Sequence, residues 1–195
     1  RPMLTVLVTV VTIIVNALAN ALPLNGQTTG EISNRLDVYF TPAPYVFSIW
    51  GAIYLGLVAF SVYQARPAQR NNRRLAGIRG WYLLSCAANS AWIVLWHYEV
   101  FLLTVVAMLA LLVSLIAIYL RLGIGRRNTP HDLERWVVDI PFRIYLGWIT
   151  VATVANIAAY LGFIGWRGDG ISEVGWTIVM LIVAALLASA VAADR

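Results

Sequence analysis

Tryptophan, tyrosine and asparagine recur at helical spacing inside the long apolar stretches of this chain. The sets are Trp50 with Tyr54, Asn89 with Trp92, and Trp148 with Ala152 and Asn156. Within each set, steps of three or four residues place the side chains on one helical face. Flat aromatic walls, a few amide groups and the space left by alanine suit a rigid apolar ligand. Simple packing between helices is the alternative, and the residues alone leave it open.

A stripe of neutral polar residues also runs along the first apolar stretch. Its members are Thr5, Thr9, Thr12, Asn16 and Asn20, in steps of four, three, four and four. A polar stripe of this kind is not expected to face lipid. It predicts either hydrogen bonds between membrane helices or one polar wall of a cavity.

Groups for acid–base, metal or nucleotide chemistry are not arranged for catalysis. Every Asp, Glu, Arg and His lies at or near the end of an apolar stretch, and the sequence contains neither HExxH, CxxC nor a phosphate-binding glycine pattern. His97 could ligate a haem iron or pair with Glu99, but we expect a solvated interfacial histidine. The single cysteine, Cys86, is expected to be a small buried residue. We therefore expect no enzymatic activity and no required cofactor or metal.

The composition assigns these residues to membrane-spanning helices. Of 195 residues, 61% are hydrophobic and 12% are charged, against about 45–50% and about 25% in soluble domains. Stretches of roughly 17–25 apolar residues can cross a bilayer as helices. Six qualify: 4–22, 46–64, 81–97, 100–120, 142–161 and 174–193. The predicted fold is a single all-α domain over residues 1–195, a polytopic membrane helix bundle.

The arginines predict how the bundle is oriented. Twelve of them fall at the termini and in alternate connections, whereas the other side holds only Arg35 and Arg167. The positive-inside rule then places both termini in the cytoplasm. The net charge of +5 comes from residues between apolar runs, so we expect no nucleic-acid partner. We expect an integral protein of the bacterial inner membrane, in contact with membrane lipid.

Residues 131–140 have a different pattern from the spans. Leu133, Trp136, Val137 and Ile140 fall on one helical face and charged residues on the other. This predicts a short helix lying in the membrane interface, and a polar linker is the alternative.

Three ordered stretches resemble the tryptophan-rich sensory protein family, also called the translocator-protein or peripheral benzodiazepine receptor family (TspO/MBR). They are Phe40-Thr-Pro-Ala-Pro-Tyr-Val-Phe47 followed by Trp50-Gly-Ala-Ile-Tyr54, then Asn89-Ser-Ala-Trp92, then Trp148-Ile-Thr-Val-Ala-Thr-Val-Ala-Asn156. The chain departs from the family in the alanine between Pro42 and Pro44, and in its sixth span, where typical members have five.

The resemblance implies five transmembrane helices around a ligand pocket, with the first loop folded over it. The ligands implied are tetrapyrroles such as porphyrin and sterol-like lipids, bound for sensing, transport or regulation. The residues that line or support the pocket by matched position would be Trp50, Asn89, Trp92, Trp148, Ala152 and Asn156.

The sixth span suggests a second hypothesis. Ala184, Ala188 and Ala192 form a ridge of small residues, which lets helices approach closely. The ridge is expected to pack within its own bundle, or to join a homodimer or a larger membrane complex. In the latter case the protein would be a non-catalytic accessory subunit, in an assembly that carries pigments. The sequence leaves open whether residues precede Arg1.

Overall fold

The apolar stretches of the sequence become long helices. The computed structural model describes residues 2–22, 24–36, 48–125 and 132–166, and isolated positions from 170 to 189. The α-helices are α1 (Pro2–Ala21), α2 (Thr29–Arg35), α3 (Ile49–Ala65), α4 (Arg73–Ala76), α5 (Arg79–His97), α6 (Phe101–Leu122), α7 (Asp132–Glu134) and α8 (Ile140–Phe163). Within the described ranges the regular structure is entirely helical, as the sequence predicts.

Several of these helices are suited to a bilayer. Pro2–Ala21, Phe101–Leu122 and the helical run Asp132–Phe163 are long and apolar enough to cross a membrane, and Ile49–Ala65 is a shorter apolar helix. The long helices coincide with the first five predicted spans to within about three residues at each end. The predicted sixth span, 174–193, lies outside the described residues, apart from isolated positions.

Five long helices close into a ring. Helix α1 packs against α3 and α5, α5 against α6, α6 against α8, and α8 against α3. The order around the ring is therefore α1, α3, α8, α6, α5. The ring brings the aromatic faces of α3, α5 and α8 to its interior, where Phe60, Tyr82 and Phe142 also meet with ring centroids 5.0–6.0 Å apart.

Helix α1 is polar on its inner face and apolar on its outer face. Thr5, Thr9, Thr12 and Asn16 are buried, whereas an opposite set of large apolar side chains is exposed. That set is Leu4, Leu7, Val11, Ile14 and Leu18. Since lipid is as apolar as these side chains, the hydrophobic effect does not drive them inward, and hydrogen bonds determine which face packs.

The two ends of the bundle carry different short elements. The 3-10 turn Leu24–Gly26 and helix α2 lie at one end, because Asn25 Nδ2 donates to the carbonyl of His97 at the end of α5. We call this the lid end. Pro2 lies at the other end, where its carbonyl accepts from Gln64 Nε2 near the end of α3. Helix α4 follows α3 there, so we call it the α4 end.

The segment predicted as a separate interfacial helix, 131–140, has a different structure. Its described residues continue into α8 through the π-helical turn Arg135–Asp139. Trp136 is 68% exposed, whereas Glu134 and Asp139 are each 5% exposed. The two carboxylates turn inward because a partly buried arginine of α4, Arg74, pairs with them, a partner that helical periodicity cannot reveal.

Candidate functional site

Trp50 lies at the centre of an aromatic cluster formed by three helices. Its ring stacks on Tyr54 at 5.5 Å and on Trp92 of α5 at 6.3 Å. From α8, Trp148 and Tyr145 meet it edge-on at 6.1 and 6.2 Å. These distances and angles are typical of favourable aromatic pairs. The structure thus brings together the aromatic residues that the sequence singled out on α3, α5 and α8.

The amide side chains form two hydrogen-bond chains inside the ring. In the first, Asn16 Nδ2 donates to Asn89 Oδ1 at 2.7 Å, and Asn89 Nδ2 donates to Tyr145 Oη at 2.8 Å. These bonds join α1, α5 and α8. Asn89 is 0% exposed, and its hydrogen bonds offset the cost of burying an amide away from water.

The second chain is built around Asn156 of α8. Its Oδ1 accepts from Trp92 Nε1 at 3.0 Å, and its Nδ2 donates to Thr104 Oγ1 at 2.8 Å. These bonds join α5, α6 and α8. The aromatic cluster is therefore held in position by the hydrogen bonds of Asn89 to Tyr145 and of Asn156 to Trp92.

The threonine stripe of α1 makes similar contacts. Thr9 Oγ1 lies 2.7 Å from Ser61 Oγ and 2.6 Å from Tyr82 Oη. Most of the stripe thus forms hydrogen bonds between helices, which is the first of the two interpretations that the sequence allowed for it. The members nearest the lid end, Asn16 and Asn20, also line a cavity, which is the second interpretation.

A cavity of about 440 Å³ opens beside Trp50 at the lid end. This volume lies within the range of about 300–1,000 Å³ that is usual for small-molecule sites. Its lining residues are Ile13, Asn16, Ala17, Asn20, Thr28, Thr29, Gly30, Trp50, Gly51, Tyr54 and Ile93. They come from α1, α3, α5 and the first turn of α2, so the cavity lies between α1 and the aromatic cluster.

The first turn of helix α2 lines the cavity at the lid end, so we call α2 the lid. It begins with a capping box in which Thr28 Oγ1 accepts from the Glu31 backbone N–H, and the Glu31 carboxylate accepts from the Thr28 N–H. The hydrogen bond from the Thr28 backbone, followed by that from its hydroxyl, lowers the pKa of Glu31 below its usual value. The charged Glu31 carboxylate therefore stabilises helix α2. This stabilisation is lost as the pH falls through the lowered pKa of Glu31.

The lid is attached to its neighbours at three points. The Thr29 N–H donates to Asn20 Oδ1 of α1 at 3.2 Å, and the Thr29 carbonyl accepts from Trp96 Nε1 of α5 at 3.3 Å. At the far end of α2, Arg35 pairs with Glu99 at 2.6 Å. Both backbone groups of Thr29 are thereby fixed at the cavity wall.

The predicted ligand residues occupy different positions around this site. Trp50 and Tyr54 line the cavity. Trp148 and Ala152 are half-buried and pack against the core from α8. Thr28, Thr29 and Ile93 were not predicted from the sequence, although Thr28-Thr-Gly-Glu31, with a glutamate three residues after Thr28, is a recognisable helix start.

His97 was expected to be solvated, and this expectation is wrong. The side chain is 0% exposed, and Nδ1 lies 2.8 Å from the carbonyl oxygen of Ile93. Because a carbonyl only accepts, Nδ1 donates this bond, and Nε2 has no hydrogen-bond partner among the described residues. The described ranges contain no group of three or more His, Cys, Asp or Glu side chains placed to hold a metal ion.

A compact ionic cluster lies at the α4 end, away from the cavity. Arg74 donates to Glu134 at 2.5 Å, to Asp139 at 2.6 Å and to the carbonyl of Leu122 at 2.9 Å. Burial lowers the pKa of the Arg74 guanidinium, but hydrogen bonds and the charges of the two carboxylates outweigh it and raise the pKa. Arg74 therefore stays charged and joins α4, α6 and the π-helical turn.

Comparison with known protein families identifies the family of this chain. A family model described as TSPO-like protein matches residues 2–195, nearly the whole chain. The chain belongs to the TSPO-like protein family. No curated protein and no solved structure matches the sequence. This TSPO-like protein is an integral membrane protein, as its family and its long apolar helices indicate.

Proposed function

We propose that this TSPO-like protein binds a planar apolar ligand, a tetrapyrrole or a sterol-like lipid, in the cavity beside Trp50, for sensing, transport or regulation. The observation that carries the proposal is the joining of Trp50, Tyr54, Trp92 and Trp148 into one cluster next to a cavity of about 440 Å³. Trp50 and Tyr54 present their rings to the occupant. Asn89 and Asn156 keep the cluster rigid, which reduces the ordering cost of binding.

The proposed role is receptor-like or carrier-like and not catalytic. The side chains along the cavity are neutral hydroxyls, amides and apolar groups, which suit binding without proton transfer. The proposal places five helices as transmembrane spans and 174–193 as a sixth, with both termini in the cytoplasm of a bacterial inner membrane. The lid end then faces away from the cytoplasm. Attachment to a larger membrane complex through the sixth span stays a prediction.

Titration with protoporphyrin IX tests ligand binding. Purified protein in detergent should show saturable quenching of tryptophan fluorescence as the porphyrin fills the cavity. Trp50→Ala should weaken binding about tenfold or more, since aromatic contacts contribute about 0.5–1.5 kcal/mol beyond the apolar area they bury. Trp50→Phe keeps an aromatic ring for the case in which the alanine variant folds poorly.

Trp136→Ala is the matched control, because Trp136 is 68% exposed and points away from the bundle interior. Its Kd should equal that of the unmodified protein. Quenching that never saturates, or equal Kd values for all variants, would contradict the proposal.

A further inference from the structure

The cavity has an aromatic part on α3 and a neutral polar part on α1 and the start of α2. Along α1 the lining residues run from Ile13 in the interior to Asn20 at the lid end. Thr28, Thr29 and Gly30 adjoin Asn20, because the Thr29 N–H donates to Asn20 Oδ1. Tyr54 lies one turn further from the lid than Trp50 on α3. The polar groups therefore belong to α1 and the start of α2, and the aromatic groups belong to α3.

The polar part of the described lining is uncharged. It consists of two amides and two hydroxyls, those of Asn16, Asn20, Thr28 and Thr29. A ligand carboxylate placed among them would lose most of its hydration and gain no opposite charge from these groups. Transferring an unpaired charge in this way costs far more than transferring a hydroxyl or carbonyl, which neutral partners can satisfy.

Thr29 provides a specific anchoring group at this polar part. The residue is 6% exposed and lines the cavity. Its Oγ1 is buried and has no hydrogen-bond partner in the part of the chain that the structure describes. An unpartnered buried hydroxyl is unfavourable, and threonine has three staggered side-chain positions. The hydroxyl can thus turn towards an occupant of the cavity while both backbone groups of Thr29 stay bonded.

We infer that the cavity selects an uncharged amphiphile, whose apolar body lies against Trp50 and Tyr54 and whose single hydroxyl or carbonyl hydrogen-bonds Thr29 Oγ1 beneath the lid. This inference rests on the proposed function and narrows it. A sterol-like molecule fits this description, whereas a tetrapyrrole fits only with its carboxylates outside the polar part.

Three fluorescent probes with one planar body test the inference. They are 1-pyrenemethanol, 1-methylpyrene and 1-pyrenecarboxylate, which carry a hydroxyl, a methyl group and a charged carboxylate. Energy transfer from tryptophan to pyrene reports binding to the full chain at pH 7.5 in one detergent. For the unmodified protein we expect pyrenemethanol to bind about five- to tenfold more tightly than methylpyrene, the range for one neutral hydrogen bond. Pyrenecarboxylate should bind most weakly.

Matched variants separate the Thr29 hydroxyl from other effects. Thr29→Val keeps the shape of the side chain and should weaken pyrenemethanol binding until its Kd equals that of methylpyrene. Thr29→Ser should keep most of the preference for pyrenemethanol over methylpyrene. Thr5→Val is the control, since Thr5 Oγ1 is also buried without a partner among the described residues but lies outside the cavity lining. Each probe also partitions into micelles, but to the same extent for every variant. This partitioning therefore cancels when the Kd values of two variants for one probe are compared as a ratio.

The possible outcomes distinguish the inference from the function on which it rests. If no probe binds saturably, the proposed pocket itself fails and the inference falls with it. If methylpyrene and pyrenemethanol bind equally well, or Thr29→Val leaves their ratio unchanged, the pocket stands and the role of Thr29 is overturned. Binding of pyrenecarboxylate as tight as that of pyrenemethanol overturns the selection for an uncharged ligand.

Discussion

At the scale of single residues, the buried amides connect the ligand cluster to the rest of the bundle. Asn156 is 3% exposed and bonds both Trp92 and Thr104. Removing its side chain leaves the indole N–H of Trp92 buried without an acceptor. A buried donor left unsatisfied costs about 1–3 kcal/mol, although exchange of partners within membranes reduces such values towards about 0.6 kcal/mol.

Asn156→Ala should therefore lower the free energy of unfolding by about 1–2 kcal/mol. The lone cysteine, Cys86, is 4% exposed, so a thiol-reactive fluorescent dye will label it mainly after unfolding, and the labelling temperature reports Tm. Exposed Asn71→Ala serves as control and should leave Tm unchanged. Equal Tm values for the two variants would show that the Trp92–Asn156 bond contributes nothing to stability.

At the scale of helices, α3 and α8 approach closely at one glycine. A Cβ added to Gly56 would lie 2.8 Å from Cβ of Pro141. The proline ring is rigid, so the helices themselves must move apart. Gly51 is on the same helix, and a Cβ there meets nothing within 4 Å. The two glycines thus differ in the space available for a side chain and not in backbone conformation.

Gly56→Ala should lower the free energy of unfolding by about 1–3 kcal/mol, the usual cost of overpacking. Gly51→Ala should be neutral or slightly stabilising, because alanine is the better helix former by about 1 kcal/mol. The Cys86 dye assay measures both. A Gly56→Ala variant as stable as Gly51→Ala would mean that α3 and α8 do not pack at this distance.

The ionic cluster at the α4 end determines how α8 begins. Arg74→Gln leaves the carboxylates of Glu134 and Asp139 buried without their cation, and breaking such a pair costs about 3–5 kcal/mol. Tm should fall strongly in Arg74→Gln and little in Arg73→Gln, whose side chain is exposed. Adding Glu134→Gln and Asp139→Asn to Arg74→Gln should recover much of the loss, because no unpaired charge remains. A triple variant no more stable than Arg74→Gln alone would contradict this account of the cluster.

At the scale of the whole molecule, the sequence predicts the long helices well because bilayer thickness sets their length. It also predicts which faces of α1, α3, α5 and α8 turn inward, since a polar or aromatic stripe repeats at helical spacing. The order of helices around the ring cannot be read from such stripes. For that reason the α1 stripe was predicted as a possible cavity wall without Trp50 and Tyr54 being identified as the residues across from it.

Other features depend on partners that are distant in sequence. Burial of Glu134 and Asp139 follows from Arg74, some 60 residues earlier in the chain. Burial of His97 accompanies the turn around Asn25. A pattern within one helix does not contain this information. The polar lid end of the cavity likewise arises only when α2 folds back onto α1 and α5.

The central claim is that an apolar ligand occupies the cavity beside Trp50, and ¹⁹F NMR of protein labelled with 5-fluorotryptophan tests it most directly. The chain contains eight tryptophans, and replacing Trp50, Trp92 and Trp136 by phenylalanine one at a time assigns their signals. Saturating protoporphyrin IX should shift the Trp50 signal most, Trp92 less, and the outward-facing Trp136 not at all. A spectrum in which Trp50 stays unshifted, or moves no more than Trp136, would contradict the claim.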